Sequence, residues 1–126
     1  MKKLLVIVLM CLSFSLSAQN DKQSKSIEVP RYKIYPTENM LISLKLDTAT
    51  GRIWLVQIGV GDTDAMTATL NDESLILTTE EVRAGRFELY PTKNMYNFIM
   101  LDTDKGHTYQ VQWHTDSDKR IVDLIW

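Results

Sequence analysis

Residues 31–57 read RYKIYPTENMLISLKLDTATGRIWLVQ, and residues 86–112 read RFELYPTKNMYNFIMLDTDKGHTYQVQ. The second stretch restates the first 55 residues later, with 12 of 27 positions identical and no gap. A duplication of this length makes each copy one structural unit, so both copies take the same local fold.

Within each copy the apolar period is two, which specifies strands. The first strand ends at Pro36 and at Pro91, because proline has no amide to give a ladder. A second strand spans Leu41 to Leu46, or Tyr96 to Leu101. It is followed by Asp47-Thr-Ala-Thr-Gly51, or Asp102-Thr-Asp-Lys-Gly106. These five residues form a hairpin connection: the aspartate accepts backbone amides two residues on, and the glycine supplies a positive φ. A third strand covers Arg52 to Ile58 and His107 to Trp113. The same offset aligns a fourth, Met66 to Leu70, with Ile121 to Ile125, each after an acidic turn. Between the copies, Thr78 to Glu81 has capping-box spacing and predicts one short helical turn.

The domain organisation follows. Residues 1–18 carry Lys2 and Lys3, an apolar run from Leu4 to Leu16 and a mostly small-residue exit, the pattern of a secretory signal peptide cut after Ala18, or after Ser17 since Leu16 is larger than the ideal third residue before the cut. Residues 19–28 are a polar, flexible lead-in, and 29–126 form one β domain: repeat 1 (31–70), a connector (71–85) and repeat 2 (86–126). Cys11, the one cysteine, lies in the leader, so the exported chain depends on packing rather than disulfides. Acylation of Cys11 as a lipoprotein is the rival reading, disfavoured by the large Met10 before it. The expected location is periplasmic or secreted.

Without Lys2 and Lys3 the 14 basic residues become 12 against 16 acidic ones, a net charge of −4. A mildly acidic chain with scattered charges is a poor partner for nucleic acid or anionic lipid. No later segment is long and apolar enough to span a membrane.

Four strands in about 40 residues cannot bury an apolar face alone. The predicted fold is therefore all-β, with the two repeats packed as a pseudo-twofold sandwich or barrel. Its expected core is Tyr32, Ile34, Leu44, Leu46, Trp54, Val56, Phe87, Leu89, Ile99, Leu101, Tyr109 and Val111. The opposite faces are not uniformly polar: Leu41, Ile53 and Leu55 in repeat 1, and Tyr96, Phe98 and Met100 in repeat 2, point the other way. Such strands belong between layers or against a partner.

The pattern Leu46-Asp47-Thr48-x-Thr50-Gly51-x-x-Trp54 resembles the hairpin turn of propeller blades of the quinoprotein type. There an Asp and a Thr-Gly stand between the middle strands and a tryptophan packs between blades. Repeat 2 departs from it, with Lys105 for the second threonine and Tyr109 for the tryptophan. The longer string, from Tyr-Pro-Thr-x-Asn-Met through Leu-Asp-Thr and Gly to Val-Gln, is similar to small exported bacterial proteins with two such repeats. This resemblance implies an alternative fold: two blades per chain, closing a propeller by trimerisation as some small bacterial lectins do. It does not imply quinone chemistry, which needs a full propeller with dedicated cofactor residues.

Chemistry-bearing patterns are few. His107 and His114 are seven residues apart on or beside one strand, an odd separation that puts them on opposite faces. With no cysteine beside them they make a poor metal site. The pairs Asp62/Asp64, Asp102/Asp104 and Asp116/Asp118 read as solvated turns rather than calcium loops. No nucleophile-elbow pattern is present. No catalytic residue, cofactor or metal is therefore assigned. The expected function is a non-enzymatic exported binding module for glycan or protein, with Tyr96, Phe98, Met100, Trp113 and Trp126 as its surface, since flat rings with a polar edge stack on sugars or anchor partners. An assembly subunit of a homo-oligomer is the alternative, and an extracytoplasmic hydrolase a remote third.

Overall fold

A computed structural model describes residues 27–126; the leader, Cys11 and most of the lead-in lie outside the described residues. Repeat 1 forms strands β1 (Tyr32–Pro36), β2 (Ile42–Asp47), β3 (Ile53–Gln57) and β4 (Met66–Asn71). Repeat 2 forms β5 (Phe87–Pro91), β6 (Asn97–Asp102), β7 (Thr108–Gln112) and β8 (Ile121–Ile125). Each set is one antiparallel meander in chain order, and no strand pairing joins the sheets. The all-β expectation and the four-strand units hold. The sheets stack as a sandwich rather than closing into a barrel, with β2 beside β5 and β4 beside β8.

Local chemistry explains the turns. The Asp47 carboxylate accepts the Ala49 amide at 3.0 Å and the Asp102 carboxylate accepts the Asp104 amide at 3.0 Å. Gly51 and Gly106 close these turns at φ 81° and 72°, which side-chain-bearing residues reach only with strain. In the connector the expected helical turn is a β-turn instead. The Glu80 amide donates to the Leu77 carbonyl, and its carboxylate accepts the Leu77 amide at 2.7 Å. That reach-back has capping-box form but lies one residue before the expected Thr78–Glu81 pair, at Leu77, which has no capping side chain, and no helix follows it. Among the described residues the one helical element is a 3-10 turn at Ser117–Lys119, N-capped by Asp116.

The faces that meet are not the expected ones. Repeat 1 buries Ile42, Leu44, Leu46, Ile53 and Leu55; repeat 2 buries Phe87, Leu89, Phe98, Met100, Val111 and Trp113. Together they form one core, which we call the seam. Leu44, Leu46, Phe87, Leu89 and Val111 match expectation, and Tyr109 packs against the seam part-buried. Tyr32, Ile34 and Ile99 lie instead on exposed outer faces, and Trp54, Val56 and Leu101 are half-buried there.

The reason is geometric. Register aligns Leu44 with Leu55 and Ala68 on the seam side of sheet one, and Ile34 with Lys45, Trp54 and Thr69 on its outer side. In sheet two, Leu89, Met100, Tyr109 and Leu124 share the seam side, while Tyr90, Ile99, Gln110 and Asp123 share the outer side. With the 55-residue offset, Leu44 corresponds to Ile99 and Met100 to Lys45. The repeats therefore meet through non-equivalent faces. A twofold axis brings like faces together, so the pseudo-twofold relation is replaced by a head-to-tail one. We call the outer face of repeat 1 the front and that of repeat 2 the back.

Candidate functional site

At one end of the seam the two Pro-Thr-x-Asn loops lie side by side. Proline stops each first strand, and the next residues fold on themselves. The Thr37 hydroxyl donates to the Ile42 carbonyl at 2.7 Å and accepts the Asn39 amide at 3.1 Å, while the Asn39 side chain accepts the Leu41 amide at 2.9 Å. Repeat 2 reproduces this with Thr92, Asn94 and Tyr96: 2.8, 3.2 and 3.0 Å. Strand alternation had suggested nothing about these threonines and asparagines; their identity in both copies was the available signal.

Between the loops is a groove of about 200 Å³, lined by Pro36, Thr37 and Glu38 from repeat 1 and by Pro91, Thr92, Asn94, Met95, Asn97 and Phe98 from repeat 2. Glu38 is its one ionisable lining residue. Tyr96 follows Met95 directly; its ring packs at a tilt, with centroids 5.0 Å from Trp113 and 5.4 Å from His114. The Trp113 indole donates to the Met95 carbonyl at 2.8 Å and so fixes the groove's floor.

The five residues expected to share a surface are divided. Phe98, Met100 and Trp113 are seam core. Phe98 reaches the groove as a wall, whereas Met100 and Trp113 have no exposed face to offer. Tyr96 and Trp126 are exposed, but at opposite ends of sheet two: Asn97 pairs with Gln112 at one end of β7, and Ile125 pairs with Thr108 at the other. The error lies in taking the seam side of β6 for its outer side.

At the far end of the seam stands a charged cluster that sequence reading had missed. Arg86 is bidentate to Asp102, at 3.0 and 2.9 Å, and lies 3.3 Å from Glu80, which also meets Lys105 at 2.9 Å. Arg31 makes the same bidentate contact with Asp47 at 3.1 Å. Its side chain is 46% exposed against 3% for Arg86, which Glu80 of the connector also contacts. Burial pushes the Asp102 carboxyl up, but Arg86 and the amides of Asp104 and Lys105 outweigh it and hold the group below the usual range. The Leu77 amide and then Lys105 draw Glu80 down to about 2. The same carboxylates hold the Arg86 guanidinium up, against its burial. Every acceptor in the Asp102 pair is engaged, so the cluster is a clasp between hairpin turn and strand. The signal for it was Arg and Asp at matching positions of both repeats.

His107 is exposed at the start of β7, and His114 Nδ1 accepts the Asp116 amide at 2.9 Å. Among the described residues no three of His, Cys, Asp and Glu gather as metal ligands, and no helix is long and apolar enough to cross a membrane. No protein-family model matches this chain, nor does any curated protein or solved structure.

Proposed function

We propose that this protein is an exported, non-enzymatic binding module that takes one sugar unit of a glycan in the groove between its paired Pro-Thr-x-Asn loops. The observation that carries the reading is the groove's construction: the same loop from each repeat supplies one wall, with proline rings, Met95 and Phe98 as apolar surface and Glu38, Asn94 and Asn97 as polar groups. That mixture suits a ligand with an apolar ring face and a hydroxyl edge. Its volume of about 200 Å³ is below the ~300–1,000 Å³ of drug-sized pockets and favours a single small unit over a folded partner. Tyr96, exposed beside Met95, offers a further ring for stacking.

A binding reading is favoured over hydrolysis because the groove's two hydroxyls, on Thr37 and Thr92, already donate to backbone carbonyls, and its lining pairs Glu38 with no second carboxyl. The test is a glycan array probed with the native chain and with Glu38→Ala and Tyr96→Ala, both exposed changes. Retention of a glycan by the native chain, weakened about tenfold in at least one variant, is expected. An array with no retained glycan, or equal retention by all three proteins, would overturn the reading.

A further inference from the structure

The residues that fill the seam have counterparts 55 positions away on an outer face. Phe87, Leu89 and Trp113 are at most 2% exposed, yet their counterparts Tyr32, Ile34 and Ile58 on the front are 53%, 58% and 54% exposed. In the other direction, Tyr35, Leu44 and Leu70 pack in or against the seam. Their counterparts Tyr90, Ile99 and Ile125 lie on the back at 45%, 40% and 45%.

A contact between unlike faces of like units is not used up by one pair of units, and propagates to a ring or an open stack. Two units leave one face of each kind free at the two ends of the stack. The front therefore repeats the repeat 2 side of the seam, and the back repeats the repeat 1 side. We propose that front and back dock on each other between copies of this chain, head to tail, continuing the seam from one molecule into the next.

Charge fits the same occupant. The front carries Lys45 at an outward position of β2, its ammonium 4.7 Å from the Trp54 ring centroid, and Arg52 just before β3. Asp47, at the strand end, is already paired with Arg31. The outward strand positions of the back carry Glu88 and Asp123 and no basic residue. Opposite signs on the two faces favour front-to-back contact and penalise front-to-front and back-to-back. Polar residues also replace seam residues: Ser43 and Thr69 stand for Phe98 and Leu124, and Asn97 and Gln110 for Ile42 and Leu55. Both faces are thus wettable, as the ends of a repeat stack must be, and the contact is reversible rather than obligate. Each new seam sets the Pro91-Thr92 loop of one copy beside the Pro36-Thr37 loop of the next, as within the chain.

The test is sedimentation velocity on the native chain from about 1 to 200 μM, with two exposed variants that each place a carboxylate in one face: Ile34→Glu in the front and Ile99→Glu in the back. Circular dichroism checks that both keep their strands. Expected are a native mass rising at least about twofold with concentration, monomers for each variant alone, and a one-to-one dimer when the variants are mixed. In that mixture each chain supplies the intact face the other lacks. A native chain that stays monomeric throughout would overturn the proposal. So would a variant that still self-associates, which means a symmetric contact, or a mixture that forms no dimer.

Discussion

Arg31 and Arg86 occupy the same place in the two repeats and make the same bidentate contact, but only Arg86 is sealed from water. Removing one partner of a buried ion pair strands the other charge, at a cost of about 3–5 kcal/mol. Asp47 is as buried as Asp102, but Arg31 is half in water and Arg86 also holds Glu80, so Arg86→Ala is expected to lose more unfolding free energy than Arg31→Ala, read from urea denaturation. The acidic partners set the direction of pH dependence. Asp47, Asp102 and Glu80 titrate below their ordinary values in the folded chain, so the unfolded chain binds more protons as pH falls. Their stabilisation is present above the unfolded carboxylate range and is lost on acidification, for Glu80 between 4.5 and about 2. Thermal unfolding between pH 6 and 2 should show this loss, and Glu80→Gln should flatten its acid limb.

At the scale of the element, the two Asp-Thr-x-x-Gly hairpins separate what a turn requires from what its surroundings require. Both glycines hold positive φ, which costs about 1–2 kcal/mol for a side-chain-bearing residue. A Cβ at Gly106 meets open space, but one at Gly51 comes within 2.8 Å of the Leu75 side chain, brought there by the Leu75 amide donating to the Thr50 carbonyl at 2.8 Å. Gly51→Ala should therefore lower the melting temperature more than Gly106→Ala, though the turns are otherwise alike. Strand and turn positions were legible in sequence because proline, glycine and aspartate act locally. Pro36, Pro91, Gly51 and Gly106 stop or turn the chain whatever lies nearby. The connector was misread for the complementary reason: Thr78 to Glu81 has the spacing of a helix start, but the segment is held by contacts to distant partners, Glu80 to Arg86 and Leu75 to Thr50.

At the scale of the whole molecule, the choice of buried face was the part that sequence periodicity could not decide alone. Alternation says that Trp54 and Val56 share a face and that Ile53 and Leu55 share the other; both faces are apolar, so the period is silent on which one is covered. The apolar character of Phe98 and Met100, opposite Ile99 and Leu101, was the visible sign that the repeats differ. Assuming a twofold relation turned that sign into a ligand surface instead of a core. The groove was hidden for a related reason, since it exists only where loops 55 residues apart are brought together by the seam.

If the repeats pack through unlike faces, equivalent substitutions in the two copies have unequal effects on stability. Leu55→Asp and Gln110→Asp form one pair, Met100→Asp and Lys45→Asp the other, each compared by urea unfolding at low concentration where single chains prevail. The expected result is loss of folding, or at least about 3 kcal/mol, for Leu55→Asp and Met100→Asp, against about 1 kcal/mol or less for Gln110→Asp, which faces Asp123, and for Lys45→Asp, which gives up its place over Trp54. Equal losses within each pair would mean that the repeats bury the same face, and would contradict the head-to-tail seam.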